Sequence, residues 1–135
     1  ICLWRPVMPQ VPEALAQMRD RGLSLVVVSN SDGTAERSLE AAGLRPYLDF
    51  VIDSAIVGYE KPDPRIFEHG LRQTGARPER TLHVGELYHA DVTGARAAGV
   101  LGVLLDPYGD WTGIDCACAP DLWAVAERFR TRRVG

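Results

Sequence analysis

Four short apolar runs along the chain predict buried β-strands. They are β-branched or leucine-rich and alternate little with polar residues, which is typical of parallel strands covered on both faces. The runs are Leu23 to Val28, Phe50 to Val57, Thr81 to Val84 and Val100 to Leu105. Amphipathic segments at helical spacing lie before and after them. These predicted helices are Pro12 to Arg21, Thr34 to Ala42, Pro64 to Thr74, Ala90 to Ala98 and Asp121 to Phe129.

Glycines follow four of the predicted helices, at the position where a left-handed residue ends a helix. They are Gly22, Gly43, Gly75 and Gly99. Regular alternation of helix and strand with right-handed crossovers predicts an α/β fold, a doubly wound parallel sheet. Ligands of such sheets bind at the carboxyl ends of the strands, so the polar residues there are the candidates for function.

Two helix starts carry capping signals. Asp63 precedes Pro64, which is the order of an N-cap and a first-turn proline. Ser31 or Asp32 is expected to cap the helix that starts near Thr34.

Length, composition and charge limit the class of protein. The 135 residues suit one domain, and the 46% apolar and 24% charged fractions are ordinary for a globular chain. A net charge of -3 disfavours nucleic acid as a partner, and the arginines from Arg128 to Arg133 are interpreted as a solvated helix end. No apolar run is long enough for a membrane span, and no signal peptide is recognisable. Cys116 and Cys118 lack zinc-finger spacing and are interpreted as thiols in a reducing cytoplasm.

The first predicted strand ends in Ser29 and Asn30. A hydroxyl before a helix start, whose N–H groups favour anions, is suited to phosphate, although such residues also serve as plain turn and cap residues. Lys61 precedes another helix and is the single lysine among fifteen basic residues. In so arginine-rich a chain, one lysine indicates a place for a compact ammonium group; the alternative is a surface lysine.

The third predicted strand ends near Glu86, and Asp91 opens the next helix. Two carboxylates at this spacing are able to converge on one hard cation, although Asp91 alone also fits an N-cap. His83 is interpreted as a strand residue and His89 as a loop residue, because further zinc ligands are lacking. The hydroxyl, the lysine and the acid pair thus follow successive elements of one sheet, which indicates a single site.

These segments resemble motifs II, III and IV of the haloacid dehalogenase superfamily, in the branch with a helical cap. The resemblance covers Val11 to Pro107. It rests on Ser29-Asn30, on Lys61 within Glu60 to Phe67, and on Gly85-Glu86 with Asp91 and the glycine-rich stretch from Gly94 to Gly99. It implies one partial, Rossmann-like core domain over residues 1–135, with the exit from the cap or a linker over residues 1–11 and the core over residues 12–130.

The resemblance also implies a reaction. In the family, a motif I aspartate attacks phosphorus to form an aspartyl-phosphate, and a second aspartate serves as acid and base. By similarity, Ser29 and Lys61 are the catalytic residues, and Asn30 joins them around the phosphate. Glu86 and Asp91 would hold Mg²⁺. A small phosphorylated metabolite is the expected partner, and the cytoplasm the expected location.

Motif I itself is missing, because no Asp-x-Asp occurs in the chain. Asn30-Ser31-Asp32 mimics it, but too few residues remain before Lys61 for a cap and motif II. We therefore expect an N-terminal truncation that lacks the central strand, the cap and the nucleophile. Such a fragment would be inactive alone and would tend to form a homodimer or a strand-swapped pair. Glu86 also departs from the family's usual aspartate, which puts normal Mg²⁺ binding in question.

Three other functions are alternatives to a phosphatase. A 2-haloacid dehalogenase needs no metal, so Glu86 and Asp91 argue against it. A non-catalytic phosphate-binding or assembly module would need no nucleophile. A phospho-receiver domain has its hydroxyl and lysine after its acids, which is the reverse of the order here. Tyr88, Trp111 and Trp123 are expected in core packing or helix docking rather than at the substrate.

Overall fold

A computed structural model describes residues 11–106 and 115–128 of the chain. The predictions for the basic tail, for residues 1–10 and for Trp111 lie outside these ranges. The helices are α1 (Val11–Asp20), α2 (Ala35–Ala41), α3 (Ser54–Val57), α4 (Pro64–Thr74), α5 (Gly94–Ala97) and α6 (Leu122–Arg128), with a π-helix at Tyr88–Thr93 and 3-10 turns at Arg45–Tyr47 and Pro78–Arg80. The strands are β1 (Val26–Ser29), β2 (Phe50–Asp53), β3 (Leu82–Gly85), β4 (Leu101–Leu105) and β5 (Ala117–Ala119).

All the strand pairs are parallel, as predicted. β1 pairs with β2, in a register that sets Val26 beside Phe50 and Ser29 beside Asp53. β3, β4 and β5 form a second group in that order, also parallel. The short strand β5 was missed, because three residues carry too little of a periodic pattern to be recognised.

Helices cover both faces of the strands, which confirms the doubly wound α/β fold. On one face Val27 packs in a buried cluster with Leu15 of α1 and Val125 of α6. On the other face its neighbour Val28 packs in a cluster with Phe67 of α4. Successive residues of a strand point to opposite faces, so one apolar run supplies both layers of the core. Trp123 packs against the first cluster, as expected.

The prediction of one strand from Phe50 to Val57 was wrong in its second half. β2 ends at Asp53, and α3 starts at the next residue. The Asp53 side chain accepts a hydrogen bond from the backbone N–H of Ala55, which caps the short helix, and Gly58 ends it at φ 89°. An apolar run alone does not separate a strand from a helical turn.

The four glycines predicted to end helices all have positive φ, between 71° and 84°. Asp63 caps α4 through the N–H of Arg65, also as predicted. The expected cap of α2 was wrong. Asp32 bonds Thr34, one residue before the helix, and the N–H of Ala35 donates instead to Asp53 at 3.0 Å.

None of the helices in the described ranges is long and apolar enough to cross a membrane.

Candidate active site

The carboxyl ends of β1 and β3 are joined by a continuous chain of hydrogen bonds. It starts at Asn30, directly after the buried Ser29. The Asn30 side-chain amide forms two hydrogen bonds with the backbone of Lys61. Nδ2 donates to the Lys61 carbonyl at 3.0 Å, and Oδ1 accepts from the Lys61 N–H at 2.7 Å. Both polar atoms of the Asn30 side chain therefore position Lys61. The predicted contact of Asn30 with phosphate stays a prediction, and the side chain is already engaged.

Lys61 is buried, and its ammonium group donates to Asp91 Oδ1 at 2.7 Å. Removing both charges from water is costly unless each charge is well paired, so the two groups depend on this close contact. The alternative interpretation, a lysine on the surface, is therefore wrong. The predicted role of Lys61 in catalysis is a separate matter and stays a prediction.

Asp91 accepts four hydrogen bonds. Oδ1 accepts from Lys61 and from His83 Nε2 at 2.9 Å, and Oδ2 accepts from the backbone N–H groups of Glu86 and Leu87 at 3.0 Å each. Burial disfavours the charged carboxylate, but the hydrogen bond from His83 and the charge of Lys61 outweigh it and hold the pKa of Asp91 well below its ordinary value. Asp91 is therefore ionised and fully occupied by protein donors.

His83 lies in β3 as predicted, and its bond to Asp91 makes it a site residue that the sequence did not reveal. Burial lowers its pKa to about 4, against the opposing pull of Asp91. The ring is neutral near pH 7, and Nε2 carries the hydrogen because an ionised carboxylate only accepts. Phe67 contacts the ring edge to face, at 4.8 Å between centroids. A single histidine in an apolar strand carries no pattern that predicts this.

Two glycines let the elements of the site approach closely. A Cβ at Gly85 would lie 2.1 Å from Asp91 Cγ, and one at Gly94 would lie 2.9 Å from Pro62 Cα. Neither distance is possible between such atoms, so side chains at these positions would displace Asp91 or the Lys61 loop. Gly85 and Gly94 thus have a steric role.

The loop after β1 is held from the end of β2. Asp53 accepts from the N–H groups of Gly33 at 3.1 Å, of Ala35 and of Ala55. The adjacent Ser54 hydroxyl accepts from the N–H of Ser31 at 2.9 Å. The sequence signal for this is an aspartate followed by serine within the apolar run, which the prediction of one strand from Phe50 to Val57 does not include.

Glu86 is the carboxylate best suited to a metal ion. It is half-buried at the end of β3, and no hydrogen bond to its carboxylate is present within the described residues. Asp91, by contrast, has both oxygens engaged, so it fits poorly as a direct ligand. In the part of the chain that the structure describes, no group of three or more His, Cys, Asp or Glu side chains is arranged to hold a metal. Mg²⁺ often binds one or two carboxylates and keeps several waters, so Glu86 alone is compatible with it.

Tyr88, expected in core packing or helix docking, makes polar contacts through its hydroxyl. It is half-buried at the start of the π-helix, where its hydroxyl bonds Asp115 and Arg96. The hydrogen bond to Asp115 raises the pKa of the tyrosine. This polar cluster lies on the surface.

Comparison with known proteins identifies the family. The family model of haloacid dehalogenase-like hydrolases matches residues 1–99. The chain is 41% identical to human haloacid dehalogenase-like hydrolase domain-containing protein 3, over 77% of this chain and 41% of that protein. It is 40% identical to a phosphoserine phosphatase of Thermus thermophilus, over 75% of this chain and 41% of that one. The structure superposes on a HAD phosphatase from Thermococcus onnurineus with a TM-score of 0.86 and 27% identity, over 91% of this chain and 58% of the other.

The chain therefore belongs to the haloacid dehalogenase-like hydrolases, which confirms the resemblance drawn from the motifs. It spans about two fifths of the length of the two relatives, 41% in each case. The relatives include a phosphoserine phosphatase, and its name implies a small phosphorylated substrate for that protein.

Proposed function

We propose that the protein containing this chain is a Mg²⁺-dependent phosphomonoester phosphatase that acts on a small phosphorylated metabolite. The reaction proceeds through an aspartyl-phosphate, and the nucleophilic aspartate lies outside the chain. The observation that carries the proposal is the hydrogen-bonded chain from Asn30 through Lys61 and Asp91 to Glu86. It gathers the residues of three motifs at one edge of the sheet, where ligands of such folds bind.

In this proposal Ser29 and Lys61 serve the phosphoryl group. Ser29 donates its hydroxyl hydrogen to a phosphoryl oxygen, and the Lys61 ammonium offsets the negative charge that the nucleophile and the phosphate bring together. Asn30 and Asp91 act on Lys61. Asn30 fixes its backbone, and Asp91 fixes the direction of the ammonium group. The site is thus ordered before substrate arrives, which is the arrangement that favours electrostatic catalysis.

Mg²⁺ would bind at Glu86, and it would neutralise charge on the phosphoryl oxygens when bound. Asp91 would act on it indirectly, by holding the N–H of Glu86 and so the start of the loop. Because glutamate is one methylene longer than aspartate, Glu86→Asp is a sensitive probe of this role.

The test uses the protein encoded by the whole reading frame around this chain. Phosphate release from a panel of phosphomonoesters is measured with and without Mg²⁺. We expect activity that requires Mg²⁺ and falls about a hundredfold or more in Lys61→Met and in Ser29→Ala, in proportion to lost electrostatic stabilisation. Glu86→Gln should raise the Mg²⁺ concentration needed, and Glu86→Asp should retain activity. Arg77→Met, at a surface position, is the matched control and should change nothing.

Two outcomes would replace the proposal. Halide release from 2-haloacids, independent of metal, would make the protein a dehalogenase. Binding of inorganic phosphate without any turnover, in a reading frame that lacks a strand ending in Asp-x-Asp, would make it a phosphate-binding module. The acid at Glu86 is the residue that favours phosphatase over dehalogenase, since the latter reaction has no metal to hold.

A further inference from the structure

Two thiols lie together at the edge of the sheet that β5 forms. Cys116 and Cys118 flank Ala117, and in the described residues β5 pairs with β4 alone. Both cysteines are half-buried thiols. Ala117 and Ala119 pack against the buried cluster of α1 and α6, and side chains alternate along a strand, so Cys118 points to the opposite face. Its Sγ donates to the Cys116 carbonyl at 3.8 Å, so the side chain lies toward Cys116. We call Cys116 and Cys118 the thiol pair.

The thiol pair favours a bound product without net charge. Burial raises the pKa of the Cys116 thiol, and contact with Cys118 raises it further, so Cys116 is protonated near pH 7. The charges of Arg96 and Asp115 act on Cys116 in opposite directions, and these two groups are paired at 3.2 Å. An anionic complex, such as Cu⁺ held by two thiolates, would therefore gain no net counter-charge from them.

The backbone of β5 disfavours a direct disulfide. β4 holds the strand through the register of Leu104 with Cys118, and the N–H of Asp106 donates to the Ala119 carbonyl at 2.8 Å. Residues two apart in an extended strand have Cα atoms about 6.6 Å apart, whereas disulfides favour about 5.5–6 Å and bring the two sulfurs to about 2.05 Å. A bridging atom bonded to both sulfurs needs no such shortening, so it fits this strand better than a disulfide does.

The thiol pair offers two ligands and no third. In the part of the chain that the structure describes, no group of three or more His, Cys, Asp or Glu side chains is arranged to hold a metal. A structural zinc ion takes four such ligands. The matching ligand is a soft, thiophilic centre with two exchangeable positions. A monosubstituted trivalent arsenical, R–As(OH)₂, has this property and gives a neutral product.

We propose that Cys116 and Cys118 form a dithiol site for monosubstituted trivalent arsenicals. Each thiol replaces one hydroxyl group of R–As(OH)₂: an As–O bond breaks, an As–S bond forms, and the thiol hydrogen leaves with the hydroxyl group as water. The product is R–As(S-Cys)₂ with two molecules of water. Arsenic stays trivalent and neither sulfur is oxidised, so the reaction needs no oxidant or reductant.

The second As–S bond is the source of the affinity. Once one sulfur is bonded, the other reacts within the same complex, and such a linked second step strengthens binding by a factor of about 10² to 10⁴. Because β4 already holds β5 extended, little further ordering of the backbone is needed. The site therefore differs from a single accessible thiol by the size of this factor.

The test treats the reduced protein with phenylarsine oxide, which hydrates to the arsenical with two hydroxyl groups. We expect one phenylarsenic group per chain by intact mass, with the loss of two titratable thiols. Trypsin leaves Cys116 and Cys118 on one peptide, residues 97–128, and Cys2 on another, so the position of the adduct is read without any variant. An adduct elsewhere, or none, would contradict the proposal.

Three matched variants measure the role of each thiol. Cys116→Ser and Cys118→Ser should each weaken binding by about a hundredfold or more, because one As–S bond is lost. Cys2→Ser, the control, should bind like the parent chain. Urea unfolding midpoints of the three variants show whether each one is folded. Equal binding in either of the first two variants, or a loss in Cys2→Ser, would overturn the assignment.

Hydrogen exchange separates a bridged strand from a distorted one. The amides of Ala117–Ala119 should keep their protection when phenylarsine oxide is bound, since the strand is extended before and after. Faster exchange there would show that β5 must open to bind, which contradicts the fit argued here. A disulfide between Cys116 and Cys118 that forms with oxidised glutathione and leaves β5 protected would do the same. None of these measurements depends on phosphatase activity.

Discussion

Two ion pairs in this protein have the same length and opposite surroundings. Lys61 Nζ lies 2.7 Å from Asp91, with side chains 4% and 5% exposed, and Arg77 Nε lies 2.7 Å from Glu79, with side chains 64% and 60% exposed. When an exposed pair separates, water solvates both charged groups, so the pair contributes little to the free energy of unfolding. A buried pair has no such alternative, and each partner depends on the other. The equal distances therefore do not show how much each pair contributes to the free energy of unfolding.

The two pairs also differ in what they join. Arg77 and Glu79 are two residues apart and belong to one surface turn. Lys61 lies in the turn before α4 and Asp91 in the π-helix, and Asp91 also holds His83 and the backbone of Glu86. The buried pair is the point at which the predicted site is assembled, and the first three predictions address it.

The largest effect is expected from Asp91→Ala. It leaves the Lys61 ammonium buried without its counter-ion and two backbone N–H groups without an acceptor, which costs about 3–5 kcal/mol of unfolding free energy. Urea unfolding of the chain measures the loss, and a thermal shift serves if the variant is too unstable for a full curve.

Lys61→Met is the matched comparison for Asp91→Ala. It removes the ammonium and leaves Asp91 with His83 and both N–H groups, so the loss should be clearly smaller than for Asp91→Ala. If the two variants lose the same free energy of unfolding, the three hydrogen bonds of Asp91 that remain in Lys61→Met add nothing to stability, which contradicts this prediction.

The second prediction concerns acid. His83 has a pKa of about 4 in the folded chain and an ordinary value of 6.5 when unfolded. Between these values the unfolded state binds a proton that the folded state does not, so stability falls as pH is lowered from 6.5 to 4, by about 3 kcal/mol in all. Below that range Asp91, whose pKa is lowered, adds to the loss as it is protonated.

Urea unfolding at a series of pH values tests this, with His83→Gln as the comparison. Glutamine retains a donor for Asp91 and does not titrate, so the dependence on pH from 6.5 to 4 should become shallower by about one proton. An unchanged slope would mean that His83 is protonated in the folded chain.

The third prediction concerns Gly85→Ala. The added Cβ would lie 2.1 Å from Asp91 Cγ, so Asp91 must move and its bonds to Lys61 and His83 must lengthen, at a cost of about 1–3 kcal/mol. Gly43→Ala is the comparison: it has open space but a φ of 75°, so it strains the backbone without touching the site. NMR signals of the His83 ring should shift in Gly85→Ala alone, and a shift in both variants would contradict the local steric cause.

Much of the fold was predictable because periodic patterns and glycines report local structure. The helix Pro64–Thr74 carries an N-cap, a first-turn proline and a final glycine, so its predicted bounds agree with the structure. The end of β2 has a local signal, since Asp53 caps α3 through the nearby Ala55. The hydrogen bonds from Gly33 and Ala35 to Asp53 were not predictable, because these residues are distant in sequence.

The site was predictable in its members and less so in their contacts. Ser29 stands out by residue type at a strand end, and Lys61 and Asp91 stand out at predicted helix starts; the structure brings the latter two together. The engagement of the Asn30 side chain with Lys61 and the bond from His83 to Asp91 were not foreseen, since both depend on approach between elements that no local pattern encodes.

The smallest effect is expected from Glu79→Gln. The pKa of Glu79 is lowered first by a hydrogen bond from its own backbone N–H and only then by Arg77, and a glutamine oxygen accepts the same backbone bond. The charge lost lies at the surface and is screened by salt. The unfolding midpoint in urea should therefore equal that of the parent chain, at low and at high salt. A loss that approaches that of Lys61→Met would show that exposed and buried pairs of equal length contribute alike, which is the opposite of what their surroundings imply.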